Sequence, residues 1–335
     1  LLSAITAHAS AQSITNLGVL SGDHHFSGGA AVSANGNVVG GISAVQFFNQ
    51  TSSFLWTQGG GAQDIGAAPD AVNTFIQSLN ADGSAGAGAY YSADRDHAFR
   101  WTASGGVEDL GALEGAPYGA TAWGISADGN VVGGTSSSAD GVRAFRWTAA
   151  TGMQSIGLLG GGTFSWGFAL SGNGQAITGI ADRDGTERAY VWTEAGGMQA
   201  LESVDGAAGA GFAISHDGTV VAGYNGLSAA RWVNGSAEVL GNIAGGTFST
   251  AYGISGNGEI VGGLGDNAAG DAAAFIWSGS LGMVDLNTYL PSLGIDLDGW
   301  TLTTTTGLSF DGSVIVGNGV FNGEERGWVV TIPAP

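Results

Sequence analysis

The chain has 335 residues, of which 63 are Gly, five are Pro and none is Cys, so disulfides, thiolate metal sites and a Cys nucleophile are excluded. Eight basic residues, all Arg, stand against 28 acidic ones and leave a net charge of -20. Such a surface repels phosphate backbones and anionic lipid, which argues against nucleic-acid and membrane-surface roles.

Residues 1–13 read as a leader. Leu1 to Ile5 followed by Ala9-Ser10-Ala11 looks like the end of a signal-peptide apolar region and a small-x-small cleavage site, so export is expected. No stretch approaches the ~20 apolar residues of a membrane helix, and no membrane span is expected. Residues 14–335 are expected to form one domain. Its first element, Ile14 to Leu20, is an isolated strand-like run with no partner nearby in sequence.

From there the chain repeats. Tryptophans at 56, 101, 147, 192, 232, 277 and 328 are separated by 45, 46, 45, 40, 45 and 51 residues. A period in the forties marks a repeat array. Each unit opens with a short run ending in a turn such as Ser33-Ala34-Asn35-Gly36 or Ser126-Ala127-Asp128-Gly129. Asn-Gly or Asp-Gly between apolar runs predicts a hairpin with both turn residues at positive φ. A second β-rich run follows, as in Val131-Val132-Gly133-Gly134, and then a variable loop. Third comes the phrase seen fullest in His97-Ala98-Phe99-Arg100-Trp101 and Arg143-Ala144-Phe145-Arg146-Trp147. Alternation puts Phe and Trp on one face and Arg100, Arg146 and Arg231 on the other. A fourth run such as Gly152 to Gly157 completes the unit. Four antiparallel strands per ~45 residues and no competing helical pattern predict a seven-bladed β-propeller. The last unit ends at Ile332 without a fourth strand, and residues 14–20 supply one. Docked there, they close the ring and remove two free edges. No sub-period of 20–30 residues supports a β-helix.

The His-Ala-Phe run at 97–99, its variants Arg-Ala-Phe at 143–145 and Arg-Ala-Tyr at 188–190, and the Gly-Ile-Ser-x-Asp/Asn-Gly runs resemble the HAF repeats. The resemblance covers about residues 14–333. It implies a bacterial extracellular protein, in some members joined to an autotransporter barrel or a surface-sorting tail, and it implies no particular activity. The fifth and seventh units, Ser228 to Trp232 and Glu325 to Trp328, depart from the phrase by losing its Phe.

Features that recur are read as architecture, and breaks in the repeat as candidate sites. Asp23, His24 and His25 lie in a fourth-to-first strand connection, where adjacent histidines beside an acid are a weak metal or ligand signal. Asp182 and Asp184 open a calcium-like loop, but its twelfth position is Thr193 and not a bidentate acid, so calcium is only a candidate and no other cofactor is indicated. The longest spacing brings an insert, Pro291 to Trp300, that carries Asp296, Asp298 and Trp300. Phe47-Phe48, Tyr90-Tyr91 and Trp166 are non-recurring aromatics, and such rings beside acids suit a sugar-binding surface. Phe26, Tyr118, Phe164 and Phe248 recur and are expected to pack at the start of each blade. No Gly-x-Ser-x-Gly elbow occurs, and the sialidase turn Ser-x-Asp-x-Gly-x-x-Trp does not match. The expected function is an exported binding or adhesion module for an extracellular glycan or a surface protein, acting through the loop-rich face. The alternatives are a polysaccharide hydrolase or lyase with acids at the ring mouth, and a structural surface component.

Overall fold

Residues 13–46 and 49–333 are described by a computed structural model. The hairpin chemistry is repeated from blade to blade. In the turn at 126–129, Ser126 Oγ donates to Asp128 Oδ1 at 2.6 Å and accepts from Val131 N at 2.9 Å. Gly129 takes φ +74°, the left-handed conformation that favours Gly. Asp128 does not share it, so the expectation of two positive-φ residues is corrected. The loop runs from Ser126 to Val131, closed by Gly129 N to Ser126 O at 2.9 Å, and is longer than a two-residue turn.

Seven four-stranded antiparallel sheets result. The third is typical: Ala120–Ile125 innermost, then Val131–Ser138, Gly141–Thr148 and Gly152–Ser155. The seventh has three strands from the chain's end, Trp300–Leu308, Val314–Phe321 and Glu324–Thr331, and a fourth from its start, Thr15–Asn16. The ring therefore closes as expected, through Thr15 opposite Val329 and Asn16 opposite Trp328. The closing ladder is shorter than the seven residues anticipated. Leu17 N to Gly327 O at 3.0 Å extends it, and the Leu17 side chain is buried.

The core lies between blades. Phe145 and Trp147 of the third blade pack on Ala85, Ala87 and Ala98 of the second, large against small. Trp101 Nε1 donates to Ile65 O at 3.0 Å and Trp232 Nε1 to Glu202 O at 2.7 Å, so the indoles also tie each blade to the preceding connection. Trp147→Ala is expected to cost roughly 3–5 kcal/mol as a core truncation, read by denaturant unfolding. A variant of unchanged stability would remove Trp147 from the core. Opposite the Phe position of each third strand, held by Tyr190, Ala230 and Trp328 in the fourth, fifth and seventh blades, stands a Gly of the second. A Cβ at Gly179 would lie 1.8 Å from Trp166 O, and one at Gly223 1.9 Å from Ala210 O. Inner and second strands approach too closely there for any side chain.

This register corrects the reading of the last unit. Trp328 faces Gly317, the pairing that Phe145 makes with Gly134, while Val330 faces Ile315 as Trp147 faces Val132. The seventh Trp thus occupies the Phe position. Its Nε1 is buried without a hydrogen-bond partner, as follows from an indole in a site built for a hydrocarbon ring.

A helix was not expected, yet Leu286–Ser292 forms one. Asp285 caps it by accepting from Asn287 N, and Leu286 and Leu290, four apart, bury one face. Seven residues with Pro291 in the last turn are too few to display a helical period. The helix lies in the connection between the sixth and seventh blades, and it accounts for much of the long final spacing.

On one face of the ring the blades are tied together by their first turns. Adjacent first turns are joined by backbone hydrogen bonds: Asn35 N to Ala81 O, Ala81 N to Ala127 O, and onward to Asn257 N to Phe310 O and Phe310 N to Ala34 O. The His216 and Phe310 rings meet edge-on at 5.7 Å, and Phe310 leans over the intervening Gly256. At both Gly172 and Gly256 a Cβ would collide with these rings.

Candidate functional site

Each inner strand carries a β-bulge, an extra residue that the ladder leaves unpaired. The bulged positions are Ala30, Gln77, Trp123, Phe168, Phe212, Tyr252 and Thr306. All seven line one central cavity of about 790 Å³. That volume falls among those of small-molecule sites. Its wall ends at residues such as Val32, Ile254 and Leu308, and the first-turn residues do not line it.

The wall is two-sided. On four consecutive blades the bulge is aromatic, and the rings touch in series. Trp123 meets Phe168 edge-on at 6.1 Å, Phe168 meets Phe212 at 5.2 Å, and Phe212 meets Tyr252 at 5.4 Å. Trp166, 44% exposed, continues the arc outward at 6.0 Å from Phe168 and reaches Phe164 at 6.5 Å. Burial pushes the hydroxyls of Tyr252 and Tyr224 above the usual tyrosine range, so both remain protonated donors at neutral pH. The opposite side, where the seventh blade meets the first, is polar. Asn318 Oδ1 accepts from Gly29 N at 2.8 Å, and Thr306 Oγ1 donates to Gly29 O at 2.9 Å. Arg326 bonds His25 O and Glu324, and Glu325 and Gln77 also reach the wall.

Of the residues singled out from sequence, Phe26 lines the cavity, but none of the described candidate site residues does. Asp23 is exposed, and the His24 ring is held by Ser43 Oγ at 2.9 Å. His25 contributes its backbone carbonyl to Arg326. Phe47 and Phe48 lie outside the described residues. Asp182 is buried, and its Oδ1 accepts from Thr163 N at 2.5 Å and Phe164 N at 2.9 Å. Those backbone N–H groups, Phe164 first, hold its carboxyl below the usual range. Asp266 does the same for Phe248 and Thr247, so this clamp recurs from blade to blade. Asp184 is a turn residue at φ +52°, and Asp296 accepts from Asp298 N at 3.0 Å inside its own turn. Trp300 is 8% exposed and packs on Phe321 at 4.9 Å in the core beneath the helix, because it begins an inner strand. Conversely Tyr118 and Phe248, expected to pack, are 75% and 37% exposed.

Among the described residues one group of side chains could hold a metal: Asp70, Asp94 and His97, whose ligand atoms lie within 4.8 Å of one another. It belongs to the second blade and stands apart from the cavity.

No protein-family model matches the chain, and no curated protein does. The solved structures that resemble it are propellers of low identity. An oligogalacturonate lyase from Vibrio parahaemolyticus has a TM-score of 0.60 at 10% identity, covering 97% of this chain and 95% of that one. A prolyl endopeptidase has a TM-score of 0.60 at 11% identity, covering 93% of this chain and 51% of the other. TolB from Acinetobacter baumannii has a TM-score of 0.51 at 12% identity and 92% coverage, and this chain spans 64% of its length. At such identity the likeness concerns the fold. The class established is a seven-bladed propeller with a half-aromatic central cavity.

Proposed function

We propose that this protein is an exported bacterial binding module of the HAF-repeat kind that takes a carbohydrate segment into its central cavity from the loop-rich face. The observation that carries this reading is the arc of Trp123, Phe168, Phe212 and Tyr252, one ring from each of four successive blades. Aromatic faces offer apolar area to the C–H faces of sugar rings, and hydroxyl, amide and carboxylate groups opposite them offer hydrogen bonds. Export follows from the reading of residues 1–13, and adhesion to an extracellular glycan is the corresponding role. The polysaccharide-cleaving alternative draws on Tyr252 and Glu325, which share the cavity.

The test is a screen of neutral and acidic oligosaccharides, followed by titration calorimetry of the best binder. Phe212→Ala is expected to weaken it about tenfold or more, equivalent to about 1.4 kcal/mol. The same variant should lose less stability than Trp147→Ala, since Phe212 is half-exposed in the cavity. Unchanged affinity in Phe212→Ala would move the site elsewhere, and shortening of the oligosaccharide during the titration would favour the cleaving alternative.

A further inference from the structure

The strand register assigns one position of the third strand a common task. Arg143, Arg188 and Arg326 face Ser136, Ala181 and Gly319 at equivalent points. Each sends its guanidinium to a backbone carbonyl of the following connection: Arg143 Nη1 to Thr163 O at 3.0 Å, Arg188 Nη1 to Ala207 O at 2.9 Å, and Arg326 to His25 O. The position is a clamp between blades. In the second blade it is His97, facing Tyr90, and the ring is turned to other partners.

His97 is buried at 7% exposure and stacked on Tyr90 at 4.4 Å with the ring planes 4° apart. Its Nδ1 lies 3.0 Å from Asp109 Oδ2, which also accepts from Tyr90 Oη at 3.2 Å. A carboxylate on one ring nitrogen fixes the tautomer, placing the proton on Nδ1 and the lone pair on Nε2. That lone pair points at Ser92 Oγ, at 3.1 Å, and Asp94 Oδ1, at 3.6 Å. Ser92 has a single hydroxyl proton, and its closest contact is Asp94 Oδ1. One proton cannot serve both Nε2 and Asp94 Oδ1, so the cluster keeps an acceptor that a cation could fill. The 3.6 Å from Nε2 to Asp94 Oδ1 is too long for a hydrogen bond and close to the spacing of two ligands on one ion at about 2.0–2.2 Å each. Asp70, on the preceding connection, is the third donor.

We infer that His97, Asp94 and Asp70 form a binding site for a divalent transition ion such as Zn²⁺, with Asp109 and Tyr90 orienting the histidine. One imidazole and two carboxylates suit Zn²⁺ or Mn²⁺, whereas calcium prefers a shell of oxygens. An ion there would join the second-to-third strand loop of this blade to the connection that enters it. The site is independent of the central cavity and of what binds there.

The test is calorimetric titration of the metal-stripped protein with Zn²⁺, repeated with Co²⁺ to follow its visible bands, alongside thermal melts. The inference expects one ion per chain, a melting temperature raised by Zn²⁺, and loss of both effects in Asp94→Asn. That substitution lies on an exposed loop, so the fold should be retained. Asp109→Asn should weaken binding about 10–100-fold, the usual consequence of losing a carboxylate behind a ligating histidine. Failure of the wild type to bind Zn²⁺ overturns the site, as does undiminished binding by Asp94→Asn, which would assign the ion to other residues such as His24 and His25.

Discussion

Gly179→Ala is expected to prevent stable folding of the fourth blade, although it adds one methyl group. The added Cβ would lie 1.8 Å from the carbonyl oxygen of Trp166 and 2.9 Å from its carbon, both on the inner strand. Backbone cannot swing aside as a flexible side chain can. The inner and second strands would have to part by more than an ångström, breaking the pairing of Gly167 with Gly179 and displacing the Phe168 bulge that follows. Overpacking of an ordinary core costs about 1–3 kcal/mol, and forcing a sheet open should exceed that. The expected loss is therefore at least about 3 kcal/mol in urea unfolding. Gly185→Ala, in the exposed turn of the same blade where nothing lies within 4 Å of the new atom, should cost far less despite its positive φ. Similar losses in the two variants would show that the strand approach is not the constraint.

The second large effect concerns closure. Deleting residues 1–20 should lower the melting temperature sharply, and deleting residues 1–12 should leave it nearly unchanged. The reason is local. Thr15 and Asn16 supply the fourth strand of the seventh blade, and Leu17 beside them fills a core shared with Val39, Phe54, Trp56, Val316 and Val329. Loss of one buried Leu alone typically costs about 2–5 kcal/mol. Its removal together with the strand also uncovers the edge of Glu324–Thr331, an open template for association. The longer truncation should consequently aggregate on heating. Equal melting of the two truncations would mean that the ring is held without this strand.

Much of the fold was legible because the period is set by residues with few alternatives. Trp101 and Trp147 needed a core, Gly129 and its counterparts needed a left-handed turn, and the unpartnered run at 14–20 matched the strand missing after Ile332. The departures have local causes. Trp328 kept the spelling of the repeat while sliding two residues along the ladder, which only the pairing partner Gly317 reveals. The helix at 286–292 was too short for its period to show.

The candidate cavity was less legible, and instructively so. The bulged residues sit three positions before the turn residue in every unit, from Ala30 before Ser33 to Thr306 before Ser309. That position reads Ala, Gln, Trp, Phe, Phe, Tyr, Thr while its neighbours stay small or aliphatic. It is the kind of break in the repeat that marks a site. It was missed because simple alternation does not say that a bulge turns this side chain into the channel. The loop acids drew attention instead, and Asp182 shows why that signal misleads: a carboxylate near a turn is as well suited to two backbone N–H groups as to a ligand.

The central claim is that recognition happens in the central cavity and not on the loops. A crystal structure of the protein with the best-bound oligosaccharide tests it most directly. The account predicts sugar rings against Phe168 and Phe212, with hydroxyls directed toward Gln77 and Glu325. Sugar seated instead over Asp184, or over Asp296 and Asp298, with the cavity holding only solvent, would contradict it.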